Sequence, residues 1–428
     1  MKAHADPAVQ LLLDRAAVRD VILRYARGID RRDFDAVRDC FRPDVEGDFG
    51  GEWRSDRDSL IEFISGVAYF HTTMHMMGNS FVEVSGDEAS LQSYGMLAHH
   101  GTNDDGGEWQ YNNSVARYSE DLVRSDEGWA IQRRGAQPVW AAVGATEVAS
   151  DDPAVSWLLG RARIYDVAMQ YALGVDLREY ERVGNCFAKS FRARYGEQEF
   201  DAIEPLIAFI RGVEYFESTT HFLGTPVIEL GADAAQVETL AYITHRQVRE
   251  GKRPGERMSG GSVYRDRWLE TEAGWRIAER RLGGGEPELT VPPKPVPESD
   301  DPDVQGLLDR AEISDLVSRT ALALDRRDFA GLSTCFTSRT PAYVADQRTA
   351  LGAWERTGHL VGNHQVVFHE GGARSVTYVY RTEHVSAEDP ASHWSNGALR
   401  WEDELERTAD GWRITDRKVA SNRVREPV

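Results

Sequence analysis

Cysteine is scarce in this chain, three residues in 428, and an odd count over that length does not build a disulfide framework. Cys40, Cys186 and Cys335 stand in like contexts, DCF, NCF and TCF, each before a Phe at the end of an expected helix. They read as equivalent, buried, reduced core residues, and reduced thiols suit a cytoplasmic location. Long apolar runs are missing as well. No stretch approaches the ~18 residues of a membrane helix, and the opening MKAHADPAVQ has no apolar leader segment, so no membrane partner and no secretion signal are expected. Basic residues are outnumbered, 50 Lys and Arg against 70 Asp and Glu, for a net charge of −20, which disfavours nucleic acid and anionic surfaces as partners. There is no P-loop or dinucleotide fingerprint: DDGG, SGG and GGG read as loops. No Cys-x-x-Cys spacing suggests a metal. The reading is of a protein that works without a cofactor or a metal.

What is present is a repeat. LLLDRAAVRDVILRYARGIDRRDFDAVRDCF (11–41), WLLGRARIYDVAMQYALGVDLREYERVGNCF (157–187) and GLLDRAEISDLVSRTALALDRRDFAGLSTCF (306–336) align at offsets of 146 and 149 residues. Such periods mark whole domains, not a solenoid. The expected division is 1–145, 152–285 and 304–428, with a Pro-rich linker over 286–303. In each copy apolar residues recur at helical spacing, as in Leu12, Ala16, Val21, Ile22, Tyr25 and Ile29. A polar break and a second helix follow. Copies one and two then show a third helix, SLIEFISGVAYF and EPLIAFIRGVEYF. Alternating strands with turn signals such as SGDE and SDEG come next, and each copy closes on a Gly-Trp strand. Helices first and an antiparallel sheet after predict an α+β fold: three tandem cone-shaped α+β barrels, each with about three N-terminal helices on a curved sheet.

A histidine punctuates each copy at the same place: MHMMGN (74–79), THFLGT (220–225) and GHLVGN (358–363). Asp30 precedes His75 by 45 residues, Asp176 precedes His221 by 45, and Asp325 precedes His359 by 34, the third copy being about eleven residues shorter. A lone His on an apolar face is more often a core residue than a catalyst, and Asp at the start of DRRD could be a helix-end cap. The pair in register three times is what argues for a pocket.

With Y-x4-D-x-R-D in the first helix and H-x2-GN after the third, the chain resembles the nuclear transport factor 2-like superfamily. Within it the SnoaL-like branch is closest, with its polyketide cyclases, scytalone dehydratase and a dehydrochlorinase. The resemblance implies a catalytic dyad: Asp30, Asp176 and Asp325 orient the rings, and His75, His221 and His359 take a proton from carbon. Imidazole titrates near working pH and can serve as a general base, and a carboxylate on its other nitrogen fixes the tautomer and stabilises the imidazolium. A second His on the next strand, His99 or His100, His245 and His384, is implied as an aid to the leaving group. In a strand His99 and His100 point to opposite faces, so one of them can look inward.

Softer candidates for binding substrate are Tyr25 and Tyr171, five residues before the dyad Asp, where copy three has Thr320; Asn79 and Asn363, four after the dyad His, where copy two has Thr225; and Asn113 and Asn396, sixteen before the terminal Trp. Arg134, Arg280 and Arg417 fall five after that Trp, where the resemblance implies a group that could stabilise an anion. The Trp residues themselves read as core. Copy one is the most complete and copy three, lacking the Tyr and shortened beside its pocket, the most altered. The expected activity is a dehydratase-type lyase on a small hydrophobic or polyketide-like substrate. A polyketide cyclase or isomerase and a non-catalytic binding module remain as alternatives. Trimeric relatives suggest that the three copies pack as a monomeric pseudo-trimer.

Overall fold

In the computed structural model, the structure describes residues 4–48, 52–100, 112–135, 148–248, 257–282, 294–337, 341–352, 354, 356–384 and 394–421. The first domain runs α1 (Pro7–Arg31), α2 (Phe34–Arg38), β1 (Phe41–Asp48), β2 (Trp53–Arg54), α3 (Arg57–Ser65), β3 (Thr72–Ser85), β4 (Glu88–His100), β5 (Asn112–Ser125) and β6 (Gly128–Gly135). The second runs α4 (Pro153–Leu177), α5 (Tyr180–Gly184), β7 (Phe187–Tyr195), β8 (Gln198–Phe200), α6 (Ile203–Ile210), β9 (Phe216–Leu223), β10 (Val227–Leu230), β11 (Ala234–Val248), β12 (Arg257–Thr271) and β13 (Gly274–Leu282). The third runs α7 (Pro302–Arg326), α8 (Phe329–Thr334), α9 (Pro341–Leu351), β14 (Arg356–His369), β15 (Gly372–His384), β16 (Trp394–Thr408) and β17 (Gly411–Ser421).

The long first helices share one punctuation. Asp6, Asp152 and Asp301 each cap the N-terminus with a side-chain oxygen, and Pro at the next position presets the helical φ. Each helix ends on an arginine in the left-handed region, Arg32, Arg178 and Arg327, at φ 60°, 63° and 59°. The helices cover a sheet that is antiparallel except where β1 pairs β6, and β7 pairs β13, in parallel. The first sheet is ordered β2-β1-β6-β5-β4-β3, and the second keeps that order with its outer strand broken into β9 and β10. The third is β14-β15-β16-β17, and a single parallel bridge from Phe336 to Ile414 stands where β1 and β7 pair in the other domains. Each helix–sheet pair encloses its own apolar core.

The domains close on one another as a pseudo-threefold ring. Helices α1, α4 and α7 are in mutual contact and share a cluster containing Val9, Leu12, Val155, Leu158, Val304 and Leu308. On the sheet side β3 touches β9 and β14, and β14 touches β11. One glycine per domain makes the approach possible. A Cβ on Gly78 would lie 2.3 Å from the Phe222 ring of the second domain. On Gly224 it would lie 3.0 Å from Leu360 of the third, and on Gly362 it would lie 2.3 Å from Met76 of the first. Met76, Phe222 and Leu360 each follow the dyad histidine. One residue is therefore a knob toward one neighbour, and the glycine two positions on is the hole for the other.

Candidate active site

Each candidate dyad is assembled from a helix end and a strand start. Asp30 lies in the last turn of α1, and His75 is the fourth residue of β3. The His75 ring holds Asp30 through Nδ1 at 2.7 Å; the His221–Asp176 and His359–Asp325 pairs do so at 2.6 Å each. The other oxygen of each carboxylate accepts the histidine's own backbone N–H, at 2.9, 2.8 and 2.8 Å. A threonine two residues before each His donates its hydroxyl to the same Asp, at 3.0 Å in all three: Thr73, Thr219 and Thr357. That threonine oxygen accepts in turn from the guanidinium of the helix-capping arginine, at 2.8, 2.7 and 2.8 Å. The αL conformation of Arg32, Arg178 and Arg327 is thus tied to the site. The chain turns sharply off the helix and sends the arginine back across the threonine.

This wiring fixes chemistry. An ionised carboxylate only accepts, so the bonded Nδ1 carries the proton and Nε2 is the basic nitrogen. The three rings are 4%, 6% and 4% exposed, which keeps bulk water away from the pair. His71 and His75 are four residues apart, a spacing that shares a helix face, but β3 begins at Thr72, so the pair does not form a helical metal motif.

Of the two adjacent histidines His99 is the one beside the dyad, its ring centroid 5.4 Å from that of His75 and stacked at 4.7 Å on Phe70. His245 repeats this in the second domain, 6.4 Å from His221 and stacked at 4.3 Å on Phe216. Burial, and then the neighbouring His75, pushes His99 down to about 4; the same causes lower His245. His99 is therefore neutral near pH 7, and the Nε2 atom of its ring is buried with no hydrogen-bond partner. The side chains of His100, Asn113, His384 and Asn396 lie outside the described residues; their backbones fall within β4, β5, β15 and β16.

The expected asparagines occupy a different place. Asn79 and Asn363 sit in β-bulges, where pairing shifts between Met77 and Ser80 and between Val361 and His364. The extra residues throw each amide outward. Asn79 donates to the His221 carbonyl at 3.2 Å and accepts from Leu223 N–H at 3.1 Å; Asn363 donates to the His75 carbonyl at 2.9 Å and accepts from Met77 N–H. They clamp the neighbouring domain's dyad strand, and both ends of each amide are committed to it. In the second domain Thr225 substitutes a backbone bond, its N–H donating to the Val361 carbonyl at 3.0 Å.

The arginines also differ from a free anion site. Arg134 is buried against Glu120, Arg280 holds Asp266 at 2.9 and 2.6 Å, and Arg417 holds Asp403 at 2.7 Å twice. Their charge is balanced in the interior of each domain by a carboxylate on the adjacent strand, fourteen residues earlier in every copy, a signal the sequence contained. Each guanidinium then lies over an aromatic ring: Arg134 is 4.2 Å from Tyr25, Arg280 is 4.2 Å from Tyr171, and Arg417 is 4.0 Å from Trp401. Tyr25 packs edge-on to Tyr118, and Tyr171 to Tyr264. In the third domain Trp401 stands at the matching register, 6.1 Å from His359, and Thr320 replaces the first tyrosine, its hydroxyl accepting from Arg417 at 3.1 Å. The three cysteines are free and buried, and burial pushes Cys40 and Cys186 up to about 12, which leaves them inert. The terminal Trp129, Trp275 and Trp412 are core residues.

The family model of the SnoaL-like domain matches residues 10–135, 157–281 and 305–418. Protein Rv2910c of Mycobacterium tuberculosis (strain ATCC 25618 / H37Rv) is 29% identical over 130 residues, 30% of this chain and 86% of that protein. The Kfla4162 protein of Kribbella flavida is 20% identical at a TM-score of 0.28, covering 29% of this chain and 89% of its own. A scytalone dehydratase candidate of Novosphingobium aromaticivorans DSM 12444 is 19% identical at 0.27, covering 32% and 97%.

Proposed function

The chain belongs to the SnoaL-like domain family three times over, and from that premise we propose that it is an acid–base lyase acting on a small hydrophobic, polyketide-like substrate. The observation that carries this is the wired Asp–His pair, repeated with hydrogen bonds matching to about 0.1 Å. His75 Nε2 takes a proton from a carbon beside a carbonyl. Asp30 stabilises the imidazolium, and the C–H electron pair passes into an enolate. Collapse of the enolate forms the C=C bond and breaks the C–O bond of a β-hydroxyl. The proton held on His75 returns to that oxygen, so water leaves and the base is restored. His99 is neutral near pH 7, so it orients the departing hydroxyl, and the imidazolium formed on His75 is the acid.

The third domain supports a second reading for itself. Trp401 stands beside His359 where the other domains place a phenol, and Thr320 removes the second phenol. We assign it a binding or structural role, and assign turnover to the first two domains. The test is hydrogen–deuterium exchange at carbon in D₂O with a panel of β-hydroxyketones and phenolic polyketide mimics, using the wild type and the His75→Ala, His221→Ala and His359→Ala variants. Exchange with loss of water, abolished by His75→Ala and His221→Ala together, supports the lyase. Exchange followed by ring closure selects the cyclase. Ligand binding without exchange in any variant sinks the enzyme reading.

A further inference from the structure

The dyads are wired alike within each domain, but they are not alike in what reaches them from outside. The Tyr94 hydroxyl, on β4 of the first domain, donates to Oδ2 of Asp176 in the second domain at 2.9 Å. Asp176 then accepts four hydrogen bonds, from Thr219, the His221 ring, the His221 N–H and Tyr94, which fills the sites a carboxylate offers. Behind Tyr94 stands its cross-strand partner Arg117, whose charge acts on the phenol. A hydrogen-bonded line Tyr94–Asp176–His221 therefore crosses the domain boundary.

The pseudo-threefold ring repeats this position twice. Tyr94, Leu240 and Tyr378 each stand opposite the glycine of the bulge or break in the neighbouring strand of their own sheet. Their cross-strand partners are Arg117, Val263 and Arg400. Tyr378 of the third domain is buried and feels the charge of Asp30 in the first, with Arg400 nearby. The second domain has lost both members together: Leu240 and Val263 are what it offers, and the dyad it adjoins in the ring is Asp325–His359 of the third. Tyrosine and arginine disappear as a pair, and they disappear toward the domain whose pocket aromatics have also changed.

We propose that Tyr94 is a positioning residue acting across the domain boundary on the second dyad. A donor on the carboxylate fixes its orientation and draws charge from it, so the carboxylate stabilises the imidazolium less. The catalytic meaning rests on the lyase reading above. The physical coupling does not, and the experiment reads it without substrate.

The experiment is an NMR titration of the full chain carrying ¹³C-labelled histidine. The groups facing His221 and Asp176 are His245 from β11, Tyr264 from β12, Arg178 at the end of α4, Thr219 from β9 and Tyr94; only the last changes in Tyr94→Phe. That variant keeps the ring and loses the hydroxyl. The His221 midpoint is expected to rise by roughly 0.5 pH unit, with His75 and His359 unmoved. Tyr378→Phe, which removes a phenol with no hydrogen bond to Asp30, is the control and is expected to leave His221 unmoved. A movement confined to His221 and seen with Tyr94→Phe alone is one a merely structural role does not give. An unmoved His221 in Tyr94→Phe, or a common movement of all three histidines, overturns the proposal. If the wild type exchanges no substrate proton, the lyase reading falls while this titration still decides the coupling.

Discussion

Domains one and three hold their histidines at nearly the same distance, 2.7 Å from Asp30 and 2.6 Å from Asp325, under different sheets. Domain one has a six-stranded sheet and two tyrosines under its arginine. Domain three has a four-stranded sheet, Thr320 and Trp401 in place of the tyrosines, and Leu240 as its neighbour. The dyad survives these losses because it is built locally. A helix end in the αL conformation, an arginine, a threonine and the start of one strand are sufficient to place it. A well-formed Asp–His pair therefore marks where a base can be held, and the groups around it separate the two domains assigned turnover from the third.

The sharpest way to break this comparison is to remove the base from each side. His75→Ala is expected to lower solvent proton exchange in the first domain by roughly 10²–10⁴-fold. His359→Ala is expected to leave total exchange unchanged. Equal losses from the two variants, measured by mass spectrometry of recovered substrate, would make domain three a working enzyme and erase the difference.

The seams rank next. Gly78→Ala drives a methyl into the rigid Phe222 ring and is expected to cost about 1–3 kcal/mol in chemical denaturation. Gly362→Ala meets the Met76 side chain and should cost less, and Gly224→Ala, whose Cβ would lie 3.0 Å from Leu360 and 3.1 Å from the Val361 carbonyl oxygen, least. Gly66→Ala, with nothing within 4 Å, serves as the control. A flat series would mean that the domains are not held at these glycines.

Asn363→Ala strands the buried Met77 N–H and His75 carbonyl, for about 1–3 kcal/mol, and should loosen the first dyad without touching it. Thr225→Ala keeps its backbone bond to Val361 and is expected to stay within ~0.5 kcal/mol. Equal effects in thermal unfolding would argue against the side-chain clamp.

The smallest effect concerns pH. His99 is held near 4 in the folded chain against an ordinary 6.5, so the folded state resists a proton that the unfolded chain accepts. Its stabilising contribution is complete above 6.5 and declines as pH falls from 6.5 toward 4. Replacing it by His99→Phe should make stability less sensitive to acid over that window and leave it parallel to wild type above pH 7. A stability curve with the same acid slope in both proteins would place the sensitivity elsewhere.

Much of this was legible in order and spacing. The repeat, the helix-then-sheet succession and the Asp–His register follow from residues close in sequence or set at a constant offset, because helix caps, strand alternation and turns are local. The threonine two before each His and the arginine two after each Asp were equally periodic. Their roles were not readable, since the αL turn that aims the arginine is a property of backbone geometry. What tertiary structure alone decided lies at the boundaries between copies. Asn79 and Asn363 stood beside the histidine in sequence, yet a bulge turned them to the next domain. Arg134 gained Glu120 as a partner only when β5 and β6 paired. Tyr94 meets Asp176 only because three domains close a ring. Sequence spacing encodes which face of one element a residue shares, and it carries no record of which separately folded surface will be pressed against that face.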